Sequence, residues 1–172
     1  MNYIGLSTCD TANGPGVRVS LFCSGCTLHC PGCFNEESWD FGAGRPFTDE
    51  TLATLLKALE EDFVEGLSLL GGDPLEPENR DEVLRIVRAV RERFGSTKTI
   101  WLWTGHRHEK VADCPSIWLW TGRRHEKVAD CPVLEYVDVL VDGPYVEKLK
   151  VHEKGCWFGS SNQRVIPLHP AG

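Results

Sequence analysis

Four cysteines crowd one short stretch of the chain. The segment "SGCTLHCPGC" covers residues 24–33, and with Cys23 ahead of it the spacing is C-x2-C-x3-C-x2-C. The chain begins "MNYIGLSTCD", without the basic and long apolar regions of a signal peptide, so we expect a cytoplasmic protein with reduced thiols. Clustered thiols in a reducing compartment favour metal or redox chemistry over disulfides.

Several kinds of site compete for these thiols. A structural zinc site places its two C-x2-C pairs about 15–20 residues apart, and His29 could replace one thiol only by folding back. The ferredoxin run C-x2-C-x2-C-x3-C-P is partly matched by Cys23, Cys26 and Cys30, but its first cysteine would fall at Ser20. Thiols in a loop that bind nothing would be an oxidation hazard.

The remaining interpretation uses Cys26, Cys30 and Cys33 in the pattern C-x3-C-x2-C. Three thiolates hold three irons of a [4Fe–4S] cube, and the fourth iron keeps an open position, as catalytic metal sites do. Cys23 then belongs to the preceding strand as a core residue. The motif resembles that of the radical S-adenosylmethionine (SAM) superfamily, in which SAM occupies the open iron.

The elements that must position these residues follow from hydrophobic periodicity. Apolar and polar residues alternate from Val17 to Cys23, which predicts a strand that leads into the cysteine loop. "PFTDETLATLLKALEEDF" predicts a helix with Thr48 as N-cap and one apolar face: Leu52, Leu55, Leu56, Leu59 and Phe63. Asn79 and Glu82 match a capping box for a second helix, which should end near Gly95.

Three further strands are predicted in "GLSLLGGDP", "TIWLWTG" and "VDVLVDGPY". Strands that alternate with helices indicate an α/β fold with a mostly parallel sheet. Ligands of such sheets gather outside the carboxyl ends of the strands. The cysteine loop, "GGDP" and "WTG" all follow such ends, so we expect them to meet at one edge.

Residues 100–116 and 117–132 form a tandem duplication with a period of 17 residues. "IWLWTGHRHEKVADCP" and "IWLWTGRRHEKVADCP" match at fifteen of sixteen positions, and only His106 against Arg123 differs. Solenoid repeats are longer and need about three copies, so this is a recent or artificial duplication of one strand-plus-helix unit. We expect the first copy to occupy the sheet, because only Gly95–Lys98 separate it from the preceding helix, and the second to be an inserted excursion.

Composition limits the class of protein. The chain has 172 residues, of which 41% are hydrophobic and 25% charged, as in one soluble globular domain. The net charge of −7 gives no drive towards phosphate backbones, so we expect no nucleic-acid partner. No apolar run approaches the length of about 18 residues that a membrane helix needs, so we expect no membrane partner.

Five segments occur in an order that resembles a known family: "NGPGVRVSLFCSGCTLHCPGCFNEESWD", "GLSLLGGDPLEPEN", "IWLWTG", "VLVDGPYVEKL" and "FGSSNQ". Together they resemble the activating proteins of the anaerobic (class III) ribonucleoside-triphosphate reductase, within the radical SAM superfamily. The resemblance runs from the first residues to about Gln163, and only the duplication breaks it. It implies one domain over residues 1–172 and a trimmed radical-SAM partial (β/α) barrel.

That resemblance implies a reaction and its partners. A flavodoxin- or ferredoxin-like donor reduces the [4Fe–4S] cluster, and the electron cleaves SAM into methionine and a 5′-deoxyadenosyl radical. This radical takes a hydrogen atom from a glycine of the reductase catalytic subunit. The cofactors carry the difficult step, so no side chain is assigned as a catalytic residue.

The resemblance also assigns residues. It makes Cys26, Cys30 and Cys33 the cluster ligands. It places SAM against two short segments of the chain: Gly32, Cys33 and Phe34 in the cysteine loop, and Gly71, Gly72 and Asp73 in "GGDP". Gly32 stands where much of the superfamily has an aromatic or apolar residue, so part of the adenine contact must come from elsewhere. A packed aromatic is the alternative for Phe34, and a cap of the following turn is the alternative for Asp73.

Other features have a structural and a functional interpretation. Asn13–Gly16 is expected to be a structural turn more than a partner contact, and the tryptophans at positions 39, 101 and 103 to be core more than partner surface. The polar tail "GSSNQ" is a candidate docking segment for the reductase. The scattered cysteines are expected to be buried or incidental thiols: Cys9, Cys114, Cys131 and Cys156.

Three rival functions stay open on the sequence alone. One is activation of another glycyl-radical enzyme, of the pyruvate formate-lyase type. Another is a zinc-binding module without catalysis. The third is a folded but inactive variant, in which the extra unit distorts the sheet edge where SAM lies.

Overall fold

The structure, a computed structural model, describes residues 1–104, 118–121, 132–133, 139–142, 146–152, 156, 159–162 and 164–167. The strands in these ranges are β1 Asn2–Asp10, β2 Val17–Cys23, β3 Arg45–Pro46, β4 Val64–Gly71, β5 Thr99–Thr104, β6 Trp118–Thr121, β7 Val139–Asp142 and β8 Arg164–Pro167. The α-helices are α1, Asp49–Leu59, and α2, Pro77–Phe94. Short 3-10 helices lie at Glu36–Ser38 and Glu147–Leu149.

The strands join in one sheet with a parallel centre. Their order is β3-β1-β2-β4-β5-β6-β7-β8. The successive pairs from β2 to β7 are parallel, and β1, β3 and β8 attach antiparallel at the two sides. This confirms the predicted α/β fold with a mostly parallel sheet. The described sheet is open, ending at β3 and β8, so a partial barrel stays a prediction.

Helix α1 begins where the sequence predicts. Thr48 is its N-cap, and the Thr48 hydroxyl accepts a hydrogen bond from the Thr51 N–H at 3.3 Å, a type of contact worth about 1 kcal/mol. Leu55 and Leu59 are fully buried, which confirms the apolar face over the helix itself. Phe63 is 59% exposed, because the helix ends before the chain reaches it, so its assignment to this face is wrong.

Helix α2 begins earlier than predicted. Pro77 occupies the first turn, where its missing N–H breaks no helical hydrogen bond and its fixed φ suits the helix. Glu76 is therefore the N-cap, and the predicted capping box of Asn79 and Glu82 is wrong, because Asn79 already lies within the first turn. The predicted end is confirmed, since Gly95 follows the last helical residue with a φ of 56°. None of the described helices is long and apolar enough to cross a membrane.

Both helices pack on one face of the sheet. The parallel register sets Val19 opposite Leu67 and Leu69 opposite Leu102, so these side chains share a face. They form one buried cluster with the apolar sides of both helices: Val19, Leu21, Leu67, Leu69, Ile100, Leu102, Leu55, Leu59, Val83, Ile86, Val87 and Val90. Removing this apolar surface from water, at about 25 cal/mol per Å², is the main force that holds the helices to the strands.

The opposite face of β2 holds a buried arginine. Arg18 is fully buried, although alternation along β2 places it away from the core cluster. Its guanidinium donates to Ser68 Oγ at 2.6 Å and to the Leu67 carbonyl oxygen at 2.7 Å, both on β4. It also donates to Thr99 Oγ1 at 2.9 Å on β5 and lies 5.2 Å from the Trp101 ring centroid. This network joins three strands from the side away from the helices.

The turn Asn13–Gly16 covers this arginine. The Ser68 hydroxyl donates to the Asn13 carbonyl oxygen at 2.6 Å. Gly14 has a φ of 117°, and a Cβ there would lie 2.7 Å from Arg18 Cδ. The interpretation of this segment as a structural turn is therefore confirmed. Trp101 beside it is buried, as expected of a core tryptophan.

The duplicated segment adds a strand to the sheet. The first copy supplies β5 beside β4, as predicted. The second copy supplies β6, which pairs parallel with β5 and sets Trp101 opposite Trp118 and Thr104 opposite Thr121. The expectation that the second copy is an excursion is wrong, because a strand of the same sequence has the same capacity to complete a parallel ladder. The predicted helices of the two units lie outside the described residues.

Candidate metal centre

The cysteine loop starts at the carboxyl end of β2. Cys23 ends the strand, is 2% exposed, and its thiol donates to the Leu70 carbonyl oxygen at 3.2 Å. Burial raises the pKa of the Cys23 thiol well above its ordinary value. Cys23 therefore packs in the core, as predicted. Cys26, Cys30 and Cys33 follow in the loop as half-buried thiols outside any disulfide.

Backbone hydrogen bonds fix the start of the loop. The Gly25 N–H donates to the Ser38 carbonyl oxygen at 2.7 Å, and the Cys26 N–H donates to the Trp39 carbonyl oxygen at 3.1 Å. The His29 ring stacks on the Trp39 ring with centroids 4.5 Å apart. The half-buried Trp39 is thus part of the loop's support, and His29 faces this ring.

The second half of the loop is a turn around Gly32. The Cys33 N–H donates to the Cys30 carbonyl oxygen at 3.0 Å, and Gly32 has a φ of 76°, a conformation that glycine adopts without strain. The Asn35 N–H lies 3.4 Å from Cys33 Sγ and donates to it. Hydrogen bonds to ligand sulfur are among the features that tune iron–sulfur clusters.

The thiols present fit a [4Fe–4S] cluster. A zinc ion needs donors that converge on one point, and no three His, Cys, Asp or Glu side chains do so among the residues with described side chains. Each thiolate of a cube binds a different iron, so the sulfurs of Cys26, Cys30 and Cys33 would lie farther apart around a cluster than around one zinc ion. Burial, with smaller contributions from Asp73 and Glu76, raises the pKa of Cys26 to about 11, so metal binding must displace its proton.

The glycine turn after β4 is joined directly to this loop. The Gly72 N–H donates to the Cys23 carbonyl oxygen at 2.8 Å, and the Asp73 N–H donates to the Gly25 carbonyl oxygen at 2.7 Å. A Cβ at Gly72 would lie 2.5 Å from that Gly25 oxygen, and Gly71 has a φ of 107°. Glycine is required here so that two backbones can approach closely. A contact of Gly71 or Gly72 with SAM stays a prediction.

Asp73 shows the capping role that the sequence left open. Its carboxylate is fully buried and accepts from the Leu75 N–H at 2.8 Å. The same oxygen accepts from the Thr104 hydroxyl at 2.5 Å. Thr104 belongs to the "WTG" end of β5, so the three strand ends that the sequence expected at one edge do meet there. A contact between Asp73 and SAM stays a prediction.

The first turn of α2 supplies two further contacts that sequence analysis missed. Glu76 Oε1 accepts from both the N–H and the hydroxyl of Thr27, at 2.7 and 2.6 Å. The Asn79 amide donates to the carbonyl oxygens of Ser24 and Asp73, each at 2.9 Å. These partners are up to 55 residues apart along the chain, and the only signal in the sequence, a capping pattern at Asn79, pointed to a different role.

Phe34 projects from the end of the loop. It is 99% exposed, so the alternative that it is an ordinary packed aromatic is wrong. A Cβ at Gly32 would lie 3.1 Å from Glu147 Oε2, which brings the 3-10 helix Glu147–Leu149 against the loop. Contacts of Gly32 and Phe34 with SAM stay predictions, and the exposed ring is available for one.

The tail segment is partly built into the fold. Ser160 is fully buried, and its hydroxyl oxygen accepts from the Val146 N–H at 3.1 Å. The Ser161 N–H donates to the Leu149 carbonyl oxygen at 2.9 Å. This segment thus holds the region that approaches Gly32, while its docking role stays a prediction and Gln163 lies outside the described residues. Among the scattered cysteines, Cys9 is exposed and Cys156 half-buried, whereas positions 114 and 131 lie outside them.

Comparisons with known proteins agree with an iron–sulfur site. A family model described as a 4Fe-4S single cluster domain matches residues 12–114 and 109–166, and the change between the two stretches falls within the duplicated segment. A protein of Enterobacteria phage T4 named anaerobic ribonucleoside-triphosphate reductase-activating protein is 41% identical over 165 residues, or 96% of this chain and 93% of the relative. Proteins with the same name from Escherichia coli (strain K12) and Pasteurella multocida (strain Pm70) are 37% and 39% identical, over 98% and 95% of this chain and 99% and 95% of the relatives.

Proposed function

The chain belongs to the family of anaerobic ribonucleoside-triphosphate reductase-activating proteins and carries a 4Fe-4S domain, and we propose on this basis that it is a radical SAM activase. Its product is the glycyl radical on the reductase. When bound, the cluster and SAM would supply the chemistry, namely cleavage of SAM by one electron from a flavodoxin- or ferredoxin-like donor and removal of a hydrogen atom from the glycine.

One observation carries this proposal. Three half-buried thiols outside any disulfide, with the spacing C-x3-C-x2-C, follow β2, and their loop is hydrogen-bonded to the glycine turn at the end of β4. Both segments lie at the carboxyl edge of the parallel strands, where ligands of such sheets bind. A three-thiol cluster would leave one iron open for a second ligand, and the glycine turn lies next to the cysteine loop that would hold the cluster.

The chain's own residues have separate roles in the proposal. Cys26, Cys30 and Cys33 bind the irons. Gly71 and Gly72 keep the neighbouring turn free of side chains, and Phe34 offers an exposed ring to SAM. Asp73 holds the turn in place through its buried carboxylate. We also assign the parallel strands from β2 to β7 to the family's trimmed partial barrel.

The test is radical formation on a defined partner. The reconstituted chain is incubated anaerobically with SAM, a reductant and the catalytic subunit of an anaerobic ribonucleoside-triphosphate reductase, and the glycyl radical is measured by electron paramagnetic resonance (EPR). We expect the signal with this reductase and none with a Cys30→Ser chain. Radical formation on pyruvate formate-lyase instead would show that the chain activates another glycyl-radical enzyme. The absence of a radical on both partners would refute the proposal that the chain is an activase.

A further inference from the structure

Glu76 is placed at a helix start but does not cap that helix. It is the N-cap of α2, yet its side chain makes no hydrogen bond to the first turn. N-cap side chains commonly accept from the free N–H groups of their own helix. Glu76 is nevertheless 2% exposed, so its carboxylate must be satisfied elsewhere.

The Glu76 carboxylate reaches across to the cysteine loop. Its Oε1 accepts from the Thr27 N–H at 2.7 Å and from the Thr27 hydroxyl at 2.6 Å. Thr27 directly follows Cys26, the first proposed cluster ligand. Two short hydrogen bonds to one carboxylate oxygen fix the backbone on the far side of Cys26, while the Cys26 N–H is fixed on the near side by Trp39.

The position of Glu76 also favours its charge. The N-terminus of a helix carries a partial positive charge that stabilises a carboxylate, and the Thr27 donors add to this. A buried anion close to an iron–sulfur cluster disfavours the addition of an electron, because a reduced cluster is more negative and burial weakens solvent screening. A nearby negative charge therefore lowers the reduction potential of a cluster.

We propose that Glu76 is a positioning residue of the metal centre. It holds Cys26 through Thr27, and it keeps a buried negative charge beside the cluster. The proposal rests on the proposed function, since it requires a cluster on Cys26. It adds a residue outside the cysteine motif and outside "GGDP" to the machinery, and it gives α2 a role in setting how strongly the cluster reduces.

Substitutions can separate the two effects of Glu76. Glu76→Gln keeps an oxygen acceptor for Thr27 and removes the charge, whereas Glu76→Ala removes both. Glu78→Gln is the matched control, because Glu78 is an acid in the same first turn but exposed to solvent. The readouts are the midpoint potential of the reconstituted cluster, from an EPR-monitored redox titration, and the rate at which a chelator removes iron.

The expected results differ between the variants. Glu76→Gln should raise the midpoint potential with iron release near that of the unchanged chain, and Glu76→Ala should also release iron about 10-fold faster or more, as loss of supporting contacts to metal ligands does. Glu78→Gln should change neither. Unchanged potential in Glu76→Gln together with unchanged iron release in Glu76→Ala would overturn the proposal.

A measurement on the apoprotein distinguishes the loss of the contact between Glu76 and Thr27 from misfolding of the chain. Hydrogen exchange of the Thr27 amide in the cluster-free chain should become faster in Glu76→Ala and stay slow in Glu76→Gln, while the amides of β4 keep their protection. Equal exchange in all three chains would contradict the contact itself. If the unchanged chain assembled no cluster, the proposed function would fail. A normal cluster whose midpoint potential and iron release do not change in the Glu76 variants would refute only this inference.

Discussion

At the residue scale, the four clustered cysteines lie in two environments. Cys23 is buried at the end of β2 and donates to the Leu70 carbonyl oxygen. Cys26, Cys30 and Cys33 are half-buried in the loop that follows. Metal binding requires thiolates, and a thiol that is fully buried and already hydrogen-bonded ionises with difficulty. This difference in burial separates the three proposed ligands from Cys23, which packs in the core.

Single substitutions of these cysteines should therefore divide into two classes. Serine at position 26, 30 or 33 removes a soft sulfur ligand, so iron bound after anaerobic reconstitution should fall well below the value for the unchanged chain. Cys23→Ser keeps a donor for the Leu70 carbonyl oxygen and should bind the same iron. Iron analysis checks both. Loss of the cluster in Cys23→Ser, with normal unfolding of its apoprotein, would show that Cys23 is a ligand.

The spacing of the cysteines predicts which thiols share the loop, but it does not predict which residues hold that loop in place. The cap that Asp73 forms on the Leu75 N–H is one of the two alternatives that the sequence offers, whereas its contact with Thr104, 31 residues away, is not predicted. Glu76 was not singled out, because its partner Thr27 lies 49 residues earlier in the chain. Contacts of this kind depend on how strands are paired, and periodicity in one sequence carries no information about them.

At the element scale, β2 is held to its neighbours by two different surfaces. One is the apolar face under the helices, which alternation along the strand predicts. The other is the network of Arg18 with Ser68 and Thr99. The period-two pattern of β2 predicts that Arg18 lies on the face opposite the helices, but it does not predict these contacts. Alternation cannot show that this face is also covered, because the cover is an irregular turn at Asn13–Gly16.

Arg18→Ala should destabilise the sheet strongly. It leaves acceptors on β4 and β5 buried without their donor and opens a space beside Trp101, which together should lower the free energy of unfolding by about 3 kcal/mol. Anaerobic urea unfolding of the apoprotein, followed by circular dichroism, measures this. Arg88→Ala, at an exposed position of α2, is the control and should cost less than about 1 kcal/mol. A similar loss in both variants would contradict a special role for Arg18.

Helix boundaries show where local signals compete. Thr48 predicted the start of α1 correctly, and Thr51 completes the cap by accepting a hydrogen bond from the Thr48 N–H. At α2, Pro77 outweighed the capping pattern at Asn79, and the helix gained a further turn that places Asn79 and Glu76 against the cysteine loop. A proline just inside a helix start is thus the stronger signal in this chain.

At the scale of the whole molecule, the duplication widens the sheet. The second copy enters as β6 between β5 and β7, in a register that matches each residue with its equivalent in the other copy. Neighbouring strands lie about 4.8 Å apart, so β7 and β8 are displaced from β4 by one strand. The alternation of strands and helices predicts the parallel centre, but two identical strands leave the sequence unable to say whether one or both enter.

Deleting Ile100–Ser116 should leave a working protein. The deletion joins Thr99 to Ile117, so the remaining strand again reads "TIWLWT" and keeps Thr99 for Arg18 and a threonine for Asp73. We expect the shortened chain to fold, to bind the same iron and to be at least as active in radical formation. Thermal unfolding and iron analysis check this. Failure of the shortened chain to fold would mean that both copies are required by the sheet.

In the proposed function, three thiols hold a cluster with one open iron that SAM occupies. The most direct measurement is anaerobic reconstitution with iron and sulfide, followed by metal analysis and EPR of the reduced protein with and without SAM. We expect about four irons per chain and an EPR signal that changes when SAM is added. Bound zinc without sulfide, or a cluster whose signal ignores SAM, would contradict it.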